Sequence, residues 1–288
     1  MKKFWPIILL ALFLSGCGKC VSVNRVGPVS GDGITHRSFL LDRDFFSRAY
    51  YSGRATTVKE KVTAGIIPHH LLAAYLIGDF FRGLQAYNQP STVVLIGPNH
   101  ANFGRSQIIS SQGFWRTPYG YLDPDFRIIN ALVKKDIVTV EEGVFISEHS
   151  ISAEVAFIKK SFPRAKIVPI ILKNSTSEQK AEQLAAALSK ILPRDALVVA
   201  SLDFSHYVSP AEARRQNKVN IEILKRNDPA EVADMFVDSR PTAQTLMYYL
   251  KEKGFHKPLI LSDSNTAEVI GNPDLAEVTS YITAYYYR

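Results

Sequence analysis

Four short stretches hold the residues able to do chemistry: IIPHH (66–70), TVVLIGPNH (92–100), SEHSISAE (147–154) and SLDFSHY (201–207). In three of them an apolar run ends and a histidine follows: His69 and His70, then His100, then His206. His149 instead precedes a helical pattern. Imidazoles drawn from distant parts of a chain to one point suit a transition metal, because neutral ring nitrogens are its commonest protein donors. General acid–base work is the other chemistry on offer. Asp203 stands three residues before His206 and can orient it and raise its basicity. Asn99 can donate to an oxyanion or hold a ring, and Glu148 or Glu154 can serve as a ligand or its supporting partner. Glu154 sits near a helix start, where the dipole favours a carboxylate in any case. Ser201 and Ser205 flank Asp203 and His206, but no G-x-S-x-G turn is present, so a nucleophilic hydrolase is a distant reading. His36 and His256 have no such setting and are assigned to the surface.

The elements that must position these residues alternate. VTAGII (62–67), TVVLIG (92–97), AKIVPIIL (165–172) and ALVVASL (196–202) are short apolar strand patterns, with PLILSD (258–263) and VTSYITAYYYR (278–288) as closing strands. Helical spacing fills residues 71–87, 151–162, 177–192, 210–226 and 241–254. Such alternation predicts an α/β domain with a mixed, largely parallel sheet covered by helices on both faces. Pro169 inside its strand predicts an edge or distorted position. In open α/β sheets ligands bind outside the carboxyl ends of the strands, which is where the histidines fall.

The first twenty residues read differently. Lys2 and Lys3, an apolar run from Phe4 to Leu14 and then Leu14-Ser15-Gly16-Cys17 give the layout of a secretory signal ending in a lipobox. The expectation is a bacterial lipoprotein: residues 1–20 as signal and lipobox with Cys17 lipidated, 21–60 as tether and N-terminal segments, 61–288 as the α/β domain. Acyl chains on Cys17 would hold the domain at a membrane of the cell envelope, outside the cytoplasm. Both cysteines, Cys17 and Cys20, lie in this segment, so the domain has no disulfide and no cysteine ligand. The net charge of +7 comes from scattered Lys and Arg with no dense basic block and no nucleic-acid module. A solvated surface, rather than a nucleic-acid partner, is expected.

In order and spacing, IIPHH, VVLIGPNH, SEHSISAEVAFIKKSFP with IVPIIL, and VVASLDFSHY resemble the MEMO-like proteins, also called AmmeMemoRadiSam system protein B. The resemblance covers roughly residues 60–288. It implies a fold like that of class III extradiol dioxygenases, with a divalent metal, iron(II) by analogy, at the sheet edge. His69 and His100 would be metal ligands, and Asp203, His206 and His149 would line the pocket as acid–base or supporting groups. A carboxylate completes the metal shell in the dioxygenases, and a cysteine in a MEMO protein, within Cys-Gly-x-x-Pro. Here FVDSRPTAQ puts Val237 at the cysteine position, and a shift of one residue would bring Asp238 there. His70, His149 and His206 are the other candidates for the third ligand. The resemblance therefore implies a metal-dependent enzyme, oxygenase-like or hydrolytic. The alternative is a lipid-anchored module that binds a small molecule or peptide without turnover.

Overall fold

A computed structural model describes residues 33–255 and 257–287. The signal-like segment with Cys17, and His256, lie outside the described residues. The chain enters through β1 (Thr35–Arg37) and α1 (Arg43–Ser52). It continues with β2 (Val62–Ile67), α2 (Ala74–Leu84) and β3 (Thr92–Pro98). Short strands follow, β4 (Ile108–Ser110), β5 (Phe114–Thr117) and β6 (Gly120–Leu122), then α3 (Phe126–Lys134) and β7 (Thr139–Val140). Next come α4 (His149–Ser152), α5 (Val155–Ser161), β8 (Lys166–Leu172), α6 (Glu178–Ile191) and β9 (Leu197–Ser201). The last part holds α7 (Pro210–Arg226), α8 (Arg240–Lys253), β10 (Leu259–Asn265), α9 (Thr266–Ile270) and β11 (Ser280–Tyr287).

Eight strands form the main sheet in the order β10-β11-β2-β9-β3-β8-β4-β7. Its centre, β2-β9-β3-β8, is parallel throughout. β11 and β10 extend one side antiparallel, and β4 adds antiparallel to β8 on the other. β1, β5 and β6 make a separate small sheet. The central strands are apolar at nearly every position because both of their faces are covered. Val94, Ile96, Val168, Ile170 and Val198 pack toward Leu184 and Leu188 of α6 and Leu246 and Leu250 of α8. Their neighbours Val93, Leu95, Ile167, Ile171 and Val199 pack toward α1, α2 and α5 through Phe46, Ile77, Phe80 and Phe157. Each such fully buried aliphatic side chain stabilises the fold by roughly 1.5–3 kcal/mol.

Pro169 corrects the edge half of its expectation. Its strand, β8, is interior, between β3 and β4. The missing N–H is harmless because it falls in a gap on the β4 side. The β4 pairing ends with Ser110 opposite Ile170, and the next contact on that side is Asp123 O with the Ile167 N–H. Ser110 Oγ donates to the Pro169 carbonyl at 2.7 Å, so the one polar group proline keeps is satisfied.

His36 corrects another. Expected at the surface, it is 5% exposed. Its ring packs on Trp115, and its Nε2 meets Ser111 Oγ at 3.0 Å and Glu142 Oε2 at 2.7 Å. Gly113 permits this, since a Cβ there would lie 2.5 Å from the His36 ring. The clasp ties β1 to the body of the domain.

Candidate metal centre

Register brings the candidate residues together. Ile67, the last residue of β2, pairs with Ser201, the last of β9, and β9 lies directly between β2 and β3. His69, Asp203 and His100 each stand two residues beyond the end of their strand, Ile67, Ser201 and Pro98. Parallel strands whose ends lie within one residue of a common level therefore deliver these side chains to one sheet edge. His149 comes from α4, which Gly97 allows to approach: a Cβ on Gly97 would meet Ser150 Oγ at 2.7 Å and Ser150 Cβ at 2.8 Å. Ser150 Oγ uses that proximity to donate to the Pro98 carbonyl at 2.8 Å. The Gly-Pro that ends β3 thus seats the helix carrying His149 beside the loop carrying His100.

The three imidazoles form a cluster positioned to bind a metal ion, with donor nitrogens within 4.8 Å of one another. His100 and His149 stack at 4.2 Å, and His69 meets both edge-on, at 5.0 and 5.3 Å. Two of the rings are held by their outer nitrogens. Glu148, the N-cap of α4, accepts from His100 Nδ1 at 2.8 Å and from the His100 backbone N–H at 2.8 Å. His69 Nδ1 lies 3.0 Å from Ser201 Oγ. The single Ser201 proton goes to the Ser150 carbonyl at 2.8 Å, so His69 Nδ1 is the donor in that pair. Both rings therefore turn Nε2 toward the shared space.

Carboxylates face that space. Asp238 Oδ2 is 3.1 Å from His69 Nε2 and 3.9 Å from His100 Nε2. Asp203 Oδ2 is 3.6 Å from His69 Nε2, while its Oδ1 accepts the His69 backbone N–H at 3.2 Å. Burial alone would strip His69 of its second proton, but Asp203 and Asp238 outweigh it and push the imidazole up to about 10. Burial raises Glu148, yet the hydrogen bond from His100 brings it down to about 2. His149 falls to about 4, first by burial and then by repulsion from His69 and His100. Glu154, buried behind Ser201, is held well above the usual carboxylate range, chiefly by burial. With His69 Nδ1 spent on Ser201, the meeting of Nε2 with two carboxylates requires a cation between them. That cation is the ring's own second proton or a metal.

Not every candidate joins. His70 turns away, its Nδ1 2.6 Å from the Tyr281 hydroxyl. Among the described residues, no hydrogen bond or ring contact links His206 to His69, His100 or His149; half-exposed, it lies toward His70, whose proton it helps to repel. Asn99 closes its own loop, donating to Phe103 O at 2.8 Å. Val237 is partly buried against the hydrophobic core, and its neighbour Asp238 faces the histidines. Ser201, weighed in the sequence only as a nucleophile, orients His69. Its signal was its place at the end of a strand pattern, two residues before Asp203.

Fold and geometry define a class: a mixed α/β domain with a histidine–carboxylate cluster at the carboxyl edge of its parallel strands. The chain belongs to the Memo-like family, whose model matches residues 43–283. It is 31% identical over 203 residues to a MEMO1 family protein of Thermotoga sp. (strain RQ2), covering 69% of this chain and 72% of that one. A MEMO1 family protein of Pyrobaculum aerophilum is 29% identical over 237 residues, 78% of this chain and 83% of the relative. Among solved structures, uncharacterized protein JW3007 from Escherichia coli K12 shares the fold, with a TM-score of 0.50 at 11% identity over 76% of this chain and 99% of that one.

Proposed function

We propose that the protein holds a divalent transition metal, of the non-haem iron(II) type, between His69 Nε2, His100 Nε2 and Asp238 Oδ2, and uses it for redox or oxygenase-like chemistry. The observation that carries this reading is the 3.1 Å approach of Asp238 to a histidine nitrogen whose sister nitrogen is already committed to Ser201. Ligand atoms sharing one ion at bond lengths near 2.1 Å stand about 3.0–3.4 Å apart, so the 3.1 Å between Asp238 and His69 fits, while His100 at 3.9 Å from Asp238 would have to move inward. The donor set of two histidines and one carboxylate is the facial arrangement of non-haem iron oxygenases. When bound, such an ion supplies one-electron chemistry and open coordination positions.

The chain's own groups have separate tasks. Ser201 and Glu148 lock the two ligand rings by their outer nitrogens, which fixes tautomer and direction. Asp203 holds the His69 backbone and adds negative charge that favours a cation. His149, unprotonated at neutral pH and half-exposed at the mouth, accepts a proton from a bound substrate. We assign this task to His149 over His206, because His149 shares the cluster. Metal content after purification without added metal tests the reading, followed by oxygen uptake on adding catechols. We expect metal in the wild type, little in His69→Ala/His100→Ala, and a reduced amount in Asp238→Ala. A wild type no richer in metal than the double variant would remove it. A metal-loaded protein inert to oxygen yet hydrolytic would replace the redox half with a bound-water mechanism.

The lipid anchor belongs to the same proposal. Lys2, Lys3, the apolar run and Leu14-Ser15-Gly16-Cys17 support lipidation of Cys17 and a place in the bacterial cell envelope, facing out of the cytoplasm. Among the described residues no helix is long and apolar enough to cross a membrane. In detergent phase separation the wild type should enter the detergent phase and Cys17→Ala the aqueous phase; identical partitioning removes the anchor.

A further inference from the structure

An apolar cavity of about 360 Å³ opens beside the histidines. Phe39, Leu40, Phe45 and Leu72 wall it, and His69 and His149 close its inner side. No Lys, Arg, Asp or Glu lines it, so nothing there beyond the imidazoles pairs with a charged group. Phe39 and Leu72 stand at the rim, 57% and 51% exposed. Apolar side chains left in water around a concave space favour any group that covers them. The volume sits at the small end of small-molecule pockets, and two rim side chains offer far less area than a stable protein interface needs. Phe39, Phe45 and the His149 imidazole surround the space with ring faces and edges, which suits a flat apolar guest.

The wall is prebuilt. The Phe39 N–H donates to the Ser152 carbonyl at 2.8 Å, and the Ser38 N–H to Arg116 O at 2.9 Å. Asp42 caps α1 by accepting from the Asp44 and Phe45 N–H groups at 2.8 and 3.0 Å. Little ordering is left to oppose binding. Phe39 and Leu40 precede the residues that match the family, 43–283.

We infer that the cavity receives an uncharged apolar group of single-ring size on a small-molecule substrate, and that Phe39 and Leu40 set this preference. The inference deepens the metal-dependent reading and rests on it for the word substrate. Two probes test it on the wild type, Phe39→Ala and Leu72→Ala; both substitutions are at exposed positions. The first probe pair is acetohydroxamate and benzohydroxamate, titrated into zinc-loaded protein. The same chelating head carries a methyl in one and a ring in the other. The wild type should prefer the benzo compound by about tenfold, and either substitution should cut that preference to about threefold while leaving acetohydroxamate binding unchanged. The second probe is 4-fluorotoluene, followed by its ¹⁹F line on metal-free protein. The wild type should broaden the line, and the variants should broaden it less. Equal hydroxamate affinities with an unbroadened fluorotoluene line overturn the pocket and leave the metal reading standing. Failure to load zinc with a broadened line removes the metal reading and supports the pocket.

Discussion

Among the described residues two buried histidines meet carboxylates, and they do so in opposite ways. At the clasp, His36 Nε2, Ser111 Oγ and Glu142 satisfy one another, and the second Glu142 oxygen accepts the Gln112 N–H at 2.7 Å. At the sheet edge, three imidazoles share one space with Asp203 and Asp238, and Asp238 Oδ1 is buried with no hydrogen-bond partner. A closed set of donors and acceptors builds structure. An open set, with anions in surplus and ring nitrogens aimed at each other's neighbourhood, is shaped for a guest. Burial does not tell the two apart, since His36 and His69 are 5% and 2% exposed; the count of unspent donors and acceptors does.

If that contrast is right, damage to the two sites should separate. His36→Ala strands Glu142 and Ser111 and should lower the unfolding free energy by about 3 kcal/mol, read by denaturant titration, with metal content unchanged. Metal loss on this substitution would merge the two sites into one. Gly97→Ala drives a methyl into Ser150 and should cost about 2 kcal/mol while also weakening metal binding, because α4 moves and with it Glu148, which holds the His100 ring. An unshifted melting point would deny the close approach its role. Ser201→Ala leaves His69 Nδ1 without its acceptor; metal affinity should fall about tenfold, or ~1.4 kcal/mol, in competition with a chromophoric chelator. Unchanged affinity would show that Ser201 does not orient the ring.

The smallest effect is a pH dependence at the clasp. Burial raises Glu142, but the hydrogen bonds from His36 and Ser111 and the Gln112 N–H win, so it titrates below its ordinary value of 4.5. A carboxylate depressed in the folded state stabilises above its unfolded pKa and loses that contribution as the pH falls through the folded one. The melting-point gap between wild type and Glu142→Gln should therefore narrow as the pH drops below about 4.5. A gap that stays constant from neutral to acid would exclude it.

Much of the scaffold was legible. VTAGII matches β2 over Val62–Ile67, and Pro210–Arg226 is helical as the spacing predicts. The repeated placement of histidine just past a strand end was visible too. Two things were not. Strands of three residues or fewer, such as β4, β6 and β7, are too short to show a period. Spatial order was also hidden: no local pattern says that β9 inserts between β2 and β3, and Asp238 reaches His69 only through that tertiary arrangement. His36 was misjudged for the same reason, because its partners Ser111 and Glu142 are 75 and 106 residues away.

The position of β9 also has a consequence in time. Whether the chain emerges from a ribosome or through a membrane, β2 and β3 appear about 100 residues before Ser201. Until then the strands bearing His69 and His100 have facing edges with no occupant, the state in which nascent sheets pair with the wrong neighbour. A polypeptide truncated before Leu197 would carry both histidine-bearing loops and lack the strand that sets them side by side.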